Sequence, residues 1–485
     1  PELRTNFLDD KLDVYEAAIG VGLRLERPRT AFSFLERAKS RTLADYLANH
    51  LEVRLRPGRS GNQDLLDALG RLRAEHNWLY GELYGPNLPR RSDHRPDPDR
   101  EERLRSAVRV RERQIADLLE RLALDRTDGL DLAPSAGGAD QAAWPNLDDG
   151  TVLLEYYFAP GGSAVFVVRG ERLQVRPLAA GPGELRNALR AWHSNLIATA
   201  QAMGAGAPLD GLGRHARRVL TSLYRALVAP VEADVEDADR IVFVPYGAAH
   251  AVPFHALFDG ESHLLERAEV VVSPSSQVLR LCCERAPQPT TAPTALALGH
   301  TDGGRLRHAL TEAQTVSALL GGECYLEDRA TRQTLAGAAP RHGVVHLAAH
   351  GEARLDNPAF AHLKLADGQL STIDVLNLDL QGALVTLSAC ETGRSVVAAG
   401  DELVGLSRGF LYAGASTLVQ SLWRVEDGST AQLMERLYRA LRDGHSKGAA
   451  LRHAQLELLA DHPDHPYQWA PFQLIGHWGP LGAPP

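Results

Sequence analysis

Cys390 and His350 are the two side chains whose types and settings suit nucleophilic chemistry. Each closes a short apolar run: Leu384-Val385-Thr386-Leu387-Ser388-Ala389-Cys390 and Val344-Val345-His346-Leu347-Ala348-Ala349-His350. Runs this short, rich in branched side chains and stopping at small residues, read as parallel strands buried on both faces. Open α/β sheets gather their chemistry at the carboxyl ends of such strands. If the two strands are neighbours, thiol and imidazole face each other across a cleft. That pair is the minimum for thiol-based catalysis, in which sulfur attacks and imidazole takes its proton. Gly351 follows His350, and with no side chain its N–H can be approached closely. With the N–H of Cys390 it could form an oxyanion hole.

Each of these residues also has a plainer reading. Free cysteine is a common small core residue, and Cys282, Cys283 and Cys324 read that way. Cys390 differs because Glu391-Thr392-Gly393, polar and turn-forming, follows it. His350 could be a satisfied core histidine. In a continuous strand His346, Ala348 and His350 alternate onto one face, so His346 is expected to pack beside His350 and orient it. The spacing of His346 and His350 does not make a zinc site, since no Cys-x-x-Cys and no carboxylate completes a ligand set. No metal or organic cofactor is expected. A third feature is Ser421-Leu422-Trp423-Arg424-Val425-Glu426-Asp427, a strand end followed by two acids on the same side of the sheet as Cys390. A carboxylate there could receive a substrate arginine or lysine. Asp427 or Ser429 could equally open the helix 429–443 as an N-cap, and sequence physics leaves both readings open.

These residues need a sheet to hold them. From Thr151 onward the chain alternates strand and helix signals. Thr151–Phe158 and Ser163–Val168 read as a hairpin around Gly161-Gly162, with Leu173–Arg176 extending it. Two helices, 183–203 and 211–229, follow. Strands are predicted at Ile241–Pro245, Val270–Ser273, Ala295–Gly299, Gly343–Ala349, Leu384–Ser388, Thr417–Ser421 and Phe472–Ile475. Helices at 311–320, 331–338, 402–413, 429–443 and 446–460 separate most of them. Such alternation predicts a mainly parallel sheet with helices on both faces.

The first third of the chain is helical in pattern. Residues 6–25 carry apolar side chains at helical spacing. A second helix has Ala31, Leu35, Ala38, Leu43 and Leu47 inward, and Glu26 to Thr30, with Pro28, reads as the turn between them. The pair resembles a tetratricopeptide repeat. One helix pair cannot bury its face alone, so further repeats are expected before Pro1. Residues 63–83 and 101–123 form another hairpin across a proline-rich loop. The expected division is a helix pair over 1–50, a hairpin over 51–130, a linker over 131–147 and an α/β domain over 148–485. The last splits into an N-terminal part, 148–290, and a catalytic part, 291–485.

Composition narrows the class. The chain has 485 residues and a net charge of −9, which argues against nucleic-acid binding through charge alone. Four cysteines in this length make no disulfide framework and suit a reducing cytoplasm. No apolar run is long enough to span a membrane. Lysine is confined to four positions among 52 basic residues, an arginine bias that suggests a GC-rich, bacterial genome.

The motifs together resemble the CHAT family, caspase-like proteases associated with tetratricopeptide repeats, in the caspase–separase clan of cysteine peptidases. The resemblance covers about 148–479. It rests on Ile241-Val242-Phe243-Val244-Pro245-Tyr246-Gly247, Pro253-Phe254-His255-Ala256-Leu257, Ala348-Ala349-His350-Gly351 and Leu387-Ser388-Ala389-Cys390-Glu391-Thr392-Gly393. It continues through Ala413-Gly414-Ala415, Ser421-Leu422-Trp423, Ala449-Ala450-Leu451-Arg452 and Trp469-Ala470-Pro471-Phe472. It implies a caspase-like α/β sheet and peptide-bond hydrolysis. His350 is the implied base and Cys390 the nucleophile, with Gly351 and Cys390 supplying the oxyanion amides. Asp427 resembles the acid that some separase-like members use to hold a basic P1 side chain. Glu426 and Glu391 are the neighbouring acids, and Trp423 supports the segment. His362 stands where many members have serine, a departure that bears on the substrate cleft. A protein substrate and a regulatory protein bound by the N-terminal helices are the implied partners. The competing classes are an inert protease-like scaffold and a thiol-dependent amide hydrolase or acyltransferase acting on a small molecule.

Overall fold

A computed structural model describes residues 14–50, 63–84, 98–124, 144–286, 294–352, 360–388, 396–398, 402–425 and 427–481. Cys390, Glu391 and Glu426 lie outside the described residues. Residues up to Arg41 and from Gln141 onward form one compact unit, and Thr42–Asp140 form another. The smaller unit carries two long helices, Gln63–Tyr84 and Pro98–Leu124. His76 and Glu112 meet in their buried seam, Nε2 to Oε1 at 3.3 Å.

Among the described residues the larger unit has sixteen strands, numbered along the chain: β1 (Thr151–Ala159), β2 (Gly162–Arg169), β3 (Arg172–Leu178), β4 (Arg240–Val244), β5 (Glu269–Val272), β6 (Ala295–Gly299), β7 (Gly322–Leu326) and β8 (Val344–Ala348). There follow β9 (His350–Glu352), β10 (His362–Leu365), β11 (Gly368–Ser371), β12 (Leu384–Ser388), β13 (Val396–Ala398), β14 (Glu402–Val404), β15 (Thr417–Ser421) and β16 (Phe472–Gly476). Eleven of them make one sheet in the order β3-β2-β1-β4-β5-β16-β15-β12-β8-β6-β7. The hairpin pairs β1–β2 and β2–β3 are antiparallel, as is β15–β16. All other pairs in the sheet are parallel. Because β16 is antiparallel to β15 but parallel to β5, the sheet has two halves of opposite direction, joined at β16. Small sheets β9–β10–β11 and β13–β14 stand apart.

The parallel strands read from the sequence fall within a residue or two of those observed, and the reason is burial. Every residue of β8, β12 and β15 is buried, so each had to be apolar or paired on both faces. The helices Ala309–Leu320 and Asp427–Arg442 cover the face toward which His346 and Thr386 point, as their contacts with Glu312 and Tyr438 show. Helix Leu406–Tyr412 covers the other face, where Ser407 donates to Gln420.

Three expectations need correction. The helix predicted from 402 starts at Leu406, because Glu402–Val404 form a strand with Val396–Ala398. Pro28 does not lie in a turn but opens the helix Pro28–His50. Its fixed φ and missing N–H suit the first helical position. The strand through His346 does not run on to His350 but stops at Ala348, and His350 starts β9 with partners of its own.

The helices 14–24 and Pro28–His50 are tied to the sheet by polar contacts. Tyr246 donates from its hydroxyl to Glu16 Oε1 at 3.1 Å. Glu36 accepts from the N–H groups of Ser276 and Gln277 at 3.1 and 2.8 Å, at the N-terminus of helix Ser276–Arg285. A carboxylate is favoured there by the unpaired N–H groups and the helix dipole. Lys39 lies 3.2 Å from Glu155 of β1 and donates to Pro245 O at 3.0 Å.

Candidate active site

The candidate site lies at the carboxyl ends of β6, β8, β12 and β15, which run in one direction. Strands β8 and β12 are neighbours in register from Leu384↔Val344 to Ser388↔Ala348. His350 lies two residues beyond Ala348, and Cys390 two residues beyond Ser388. The two strands end side by side at the same level.

His350 is half-buried and pairs with Lys364 across the antiparallel β9–β10 ladder, while Gly351, buried, pairs with Leu363. Burial lowers the His350 pKa below the ordinary imidazole value. Asp302 and Glu352 pull it up, and Arg424 and Arg305 push it down. Less of it is protonated at neutral pH than of a free imidazole, which suits a general base.

His346 does a different job from the one expected of it. It is fully buried, with Nδ1 3.1 Å from the Tyr438 hydroxyl and Nε2 2.9 Å from Glu312 Oε1. Tyr438 donates onward to Thr386 Oγ1 at 2.8 Å, and its ring stands edge-on to the imidazole. His346 thus locks β8 and β12 to the helices below them. It acts on the site through the placement of the strands rather than by touching His350.

Trp423 is buried beyond the end of β15. Its indole N–H donates to Tyr467 O at 3.2 Å, and its ring meets Trp192 edge-on. The Tyr467 hydroxyl donates back to Arg424 O at 2.7 Å, and Leu422 N donates to Pro471 O at 2.7 Å. The segment that leads to Asp427 is therefore fixed on both sides. Asp427 is the first residue of its helix, and its Oδ2 accepts from the backbone N–H of His308 at 2.8 Å. His308 precedes helix Ala309–Leu320, so the carboxylate clips the start of one helix to the start of another. Asp427 also lines a small recess with Ala348, Ser388, Leu306 and Glu312, directly at the ends of β8 and β12.

His362 is buried in β10, and its Nδ1 lies 3.1 Å from Phe360 O. Burial pushes the Cys282 thiol up to about 12 and Cys283 to about 11, and it also raises Cys324. Thiols so shifted are poor nucleophiles near neutral pH. Among the described residues, no group of His, Cys, Asp and Glu is arranged to hold a metal ion, and no helix is long and apolar enough to cross a membrane.

One residue that sequence reasoning passed over holds the strand partner of His350. Asp302, beyond β6, is buried in a left-handed backbone conformation, φ 51°. Its carboxylate holds Lys364 and Arg305. The sequence Thr301-Asp302-Gly303-Gly304 reads as an ordinary turn, and nothing local marks it out.

The CHAT domain family model matches residues 217–477. Human tetratricopeptide repeat protein 28 is 27% identical over 334 residues, covering 56% of this chain and 13% of that protein. Its mouse counterpart is 27% identical over the same length and is covered to 14%. The chain thus spans a small part of the length of the curated relatives it matches. Among solved structures, the Saccharomyces cerevisiae separase–securin complex aligns at a TM-score of 0.54 and 10% identity. That alignment takes in 98% of this chain and 41% of the other. The likeness is one of fold.

Proposed function

The chain belongs to the CHAT domain family, and on that premise we propose that it is a cysteine endopeptidase working through Cys390 and His350. One observation carries the reading. The parallel β8–β12 register ends the two strands level, with histidine and cysteine at the same offset beyond them. A half-buried imidazole with lowered proton affinity supports the role of base.

In this reading His350 takes the thiol proton, and Cys390 Sγ forms a bond to the scissile carbonyl carbon. The N–H groups of Gly351 and Cys390 hold the oxyanion. As the intermediate collapses, the C–N bond breaks and the proton on His350 passes to the leaving amine. Water, deprotonated by His350, then attacks the thioester, and the thiolate leaves. Asp427, with Glu426 and Glu391, is the acidic group proposed to receive a basic P1 side chain. The recess that Asp427 shares with Ala348 and Ser388 supports this. The N-terminal helices, of which Pro28–His50 reaches β1 through Lys39 and helix Ser276–Arg285 through Glu36, are proposed to recruit a regulatory protein.

The test is mass spectrometry of proteome fragments released by wild type and by Cys390→Ala, with both proteins shown to be folded. Fragments that require Cys390, cut after arginine or lysine, are expected. A folded Cys390→Ala protein that releases the same fragments at the same rate would end the endopeptidase reading. Transfer to a small ester or amide by wild type, with no protein cleaved, would favour the small-molecule hydrolase instead.

A further inference from the structure

We propose that Asp302 is a positioning residue for His350: a buried carboxylate, fixed at the carboxyl end of β6 by Lys364 and Arg305, that faces the imidazole and stabilises its protonated form. The proposal rests on the reading of His350 as base.

Three observations carry it. The first is placement. Strand β6 is the neighbour of β8 on the side away from β12, in register up to Gly299↔Ala348. The ladder runs one step further, with His300 N donating to Ala348 O at 2.9 Å. Asp302, two residues on, therefore emerges beside the segment that carries His350. The second is the grip on the side chain. Lys364 Nζ contacts Asp302 Oδ1, and Lys364 is the residue directly opposite His350 in the β9–β10 ladder. Arg305 Nη1 lies 3.1 Å from Oδ2. Both carboxylate oxygens are thus held, and one of the holding cations, Lys364, is itself the strand partner of His350.

The third observation is strain retained in the backbone. Asp302 has φ 51°, and Gly303 and Gly304 follow at 69° and 85°. Two of these are glycines, for which such angles cost little, but an aspartate there is unusual. The turn is braced from outside. Glu327 accepts from Thr301 Oγ1 at 2.5 Å and from Thr301 N at 3.3 Å, and Gly304 N donates to Thr301 Oγ1 at 3.2 Å. A buried acid in a sparsely populated conformation, over-determined by its neighbours, is the pattern of a functional residue.

Electrostatics agrees with the geometry. The charged groups that act on His350 are Asp302 and Arg305 from the β6 loop, Glu352 from β9 and Arg424 from the end of β15. Lys364 stands opposite it on β10. Burial raises the Asp302 carboxyl, but Lys364, Arg305 and His350 together bring it below the ordinary carboxylate range, so it is ionised at neutral pH. An anion there favours imidazolium, the state His350 reaches each time it takes a proton.

The test follows His350 directly. Histidine labelled with carbon-13 is titrated by NMR in wild type, Asp302→Asn and Lys364→Met, with the His350 signal assigned from its loss in His350→Gln. The pH dependence of Cys390 alkylation by iodoacetamide is measured in parallel. Asp302→Asn should move the His350 titration to lower pH and lower kcat for peptide cleavage about tenfold or more with little change in KM, whereas Asp302→Glu should restore part of both. Lys364→Met should move the titration the other way. A folded Asp302→Asn protein whose His350 titrates as in wild type overturns the proposal. If Asp302→Asn does not fold, an unmoved titration in Lys364→Met overturns it in the same way. Failure of the endopeptidase reading looks different: wild type cleaves nothing, yet the titration still shifts.

Discussion

Replacing Lys39 with methionine should destabilise the larger unit by about 3–5 kcal/mol near pH 7.5, the loss typical when one partner of a buried ion pair is removed. The surroundings put the substitution at the upper end of what single changes do. Lys39 is 3% exposed, Glu155 0% and Glu36 5%, so three ionisable groups share a dry site. Lys39 Nζ lies 3.2 Å from Glu155 Oε1, and Glu155 Oε2 accepts from Ser276 Oγ at 2.6 Å. Glu36 is stabilised by two backbone N–H groups at a helix start but has only a share of the one cation. Burial and the Glu155 charge raise its pKa well above the ordinary value, and Lys39 and the Gln277 N–H act against that rise. The sign follows. A carboxyl that holds its proton more tightly when folded contributes stability that is fully present below the unfolded glutamate pKa. That contribution is lost as pH rises through the raised folded value. Without Lys39, two carboxylates face each other with no cation, so the destabilisation should grow from pH 5 to pH 8.5. Urea unfolding at these pH values measures it. Adding Glu155→Gln should recover more than half of the loss at high pH, because the uncompensated charge is gone. A Lys39→Met protein that loses less than about 1 kcal/mol at pH 7.5, or loses the same amount at every pH, would refute the reasoning.

Asp427→Ala should cost about 1 kcal/mol through the lost bond to His308 N, read by urea unfolding, and in a positional peptide library should lower cleavage after arginine by tens-fold if the acid also binds P1. Asp427→Asn keeps an acceptor and loses the charge, so a specificity loss without a stability loss there assigns the P1 role; unchanged P1 preference in both variants removes it. Tyr438→Phe should cost about 1–3 kcal/mol, since it leaves His346 Nδ1 and Thr386 Oγ1 buried without the hydroxyl between them, and thermal unfolding checks it. A Tyr438→Phe protein as stable as wild type would mean that the network does not hold β8 and β12 to the helix.

What was legible in the sequence follows from how local the cause is. Strands buried on both faces must be apolar throughout, so β6, β8, β12 and β15 announce themselves as short runs. The β1–β2 hairpin does so through alternation around two glycines. Strand β9 is invisible because its existence depends on β10, ten or more residues away in sequence, and Ala348-Ala349-His350 looks like more of β8. Strand β7 is an edge strand whose described residues are only half-buried, so Glu323 and Tyr325 break the apolar pattern. In the helix Pro28–His50, the buried Ala31, Leu35 and Ala38 were readable, but Glu36 and Lys39 look like solvent-facing residues. They are buried because helix Ser276–Arg285 brings a donor pair from far along the chain. Cys390 and His350 could be singled out because chemistry restricts residue type at strand ends. Asp302 could not, since its carboxylate matters only through where Lys364 and Arg305 hold it.

The sheet topology explains why one edge of this molecule can carry chemistry while the other carries the helices. Strand β16 reverses the direction of the sheet between β5 and β15. The carboxyl ends of β6, β8, β12 and β15 therefore gather on one side, and those of β1, β4 and β5 on the other. The second group ends near Glu155, Pro245 and Ser276, where Glu36 and Lys39 insert. Helix Ser276–Arg285 starts at that cluster and runs to the amino end of β15. Arg285 at its end donates to Leu411 O at 2.8 Å, in the helix Leu406–Tyr412. This helical rod thus joins the docking point of the helix Pro28–His50 to the helix that precedes β15. Coupling along it needs two arrangements of the rod, not contact alone.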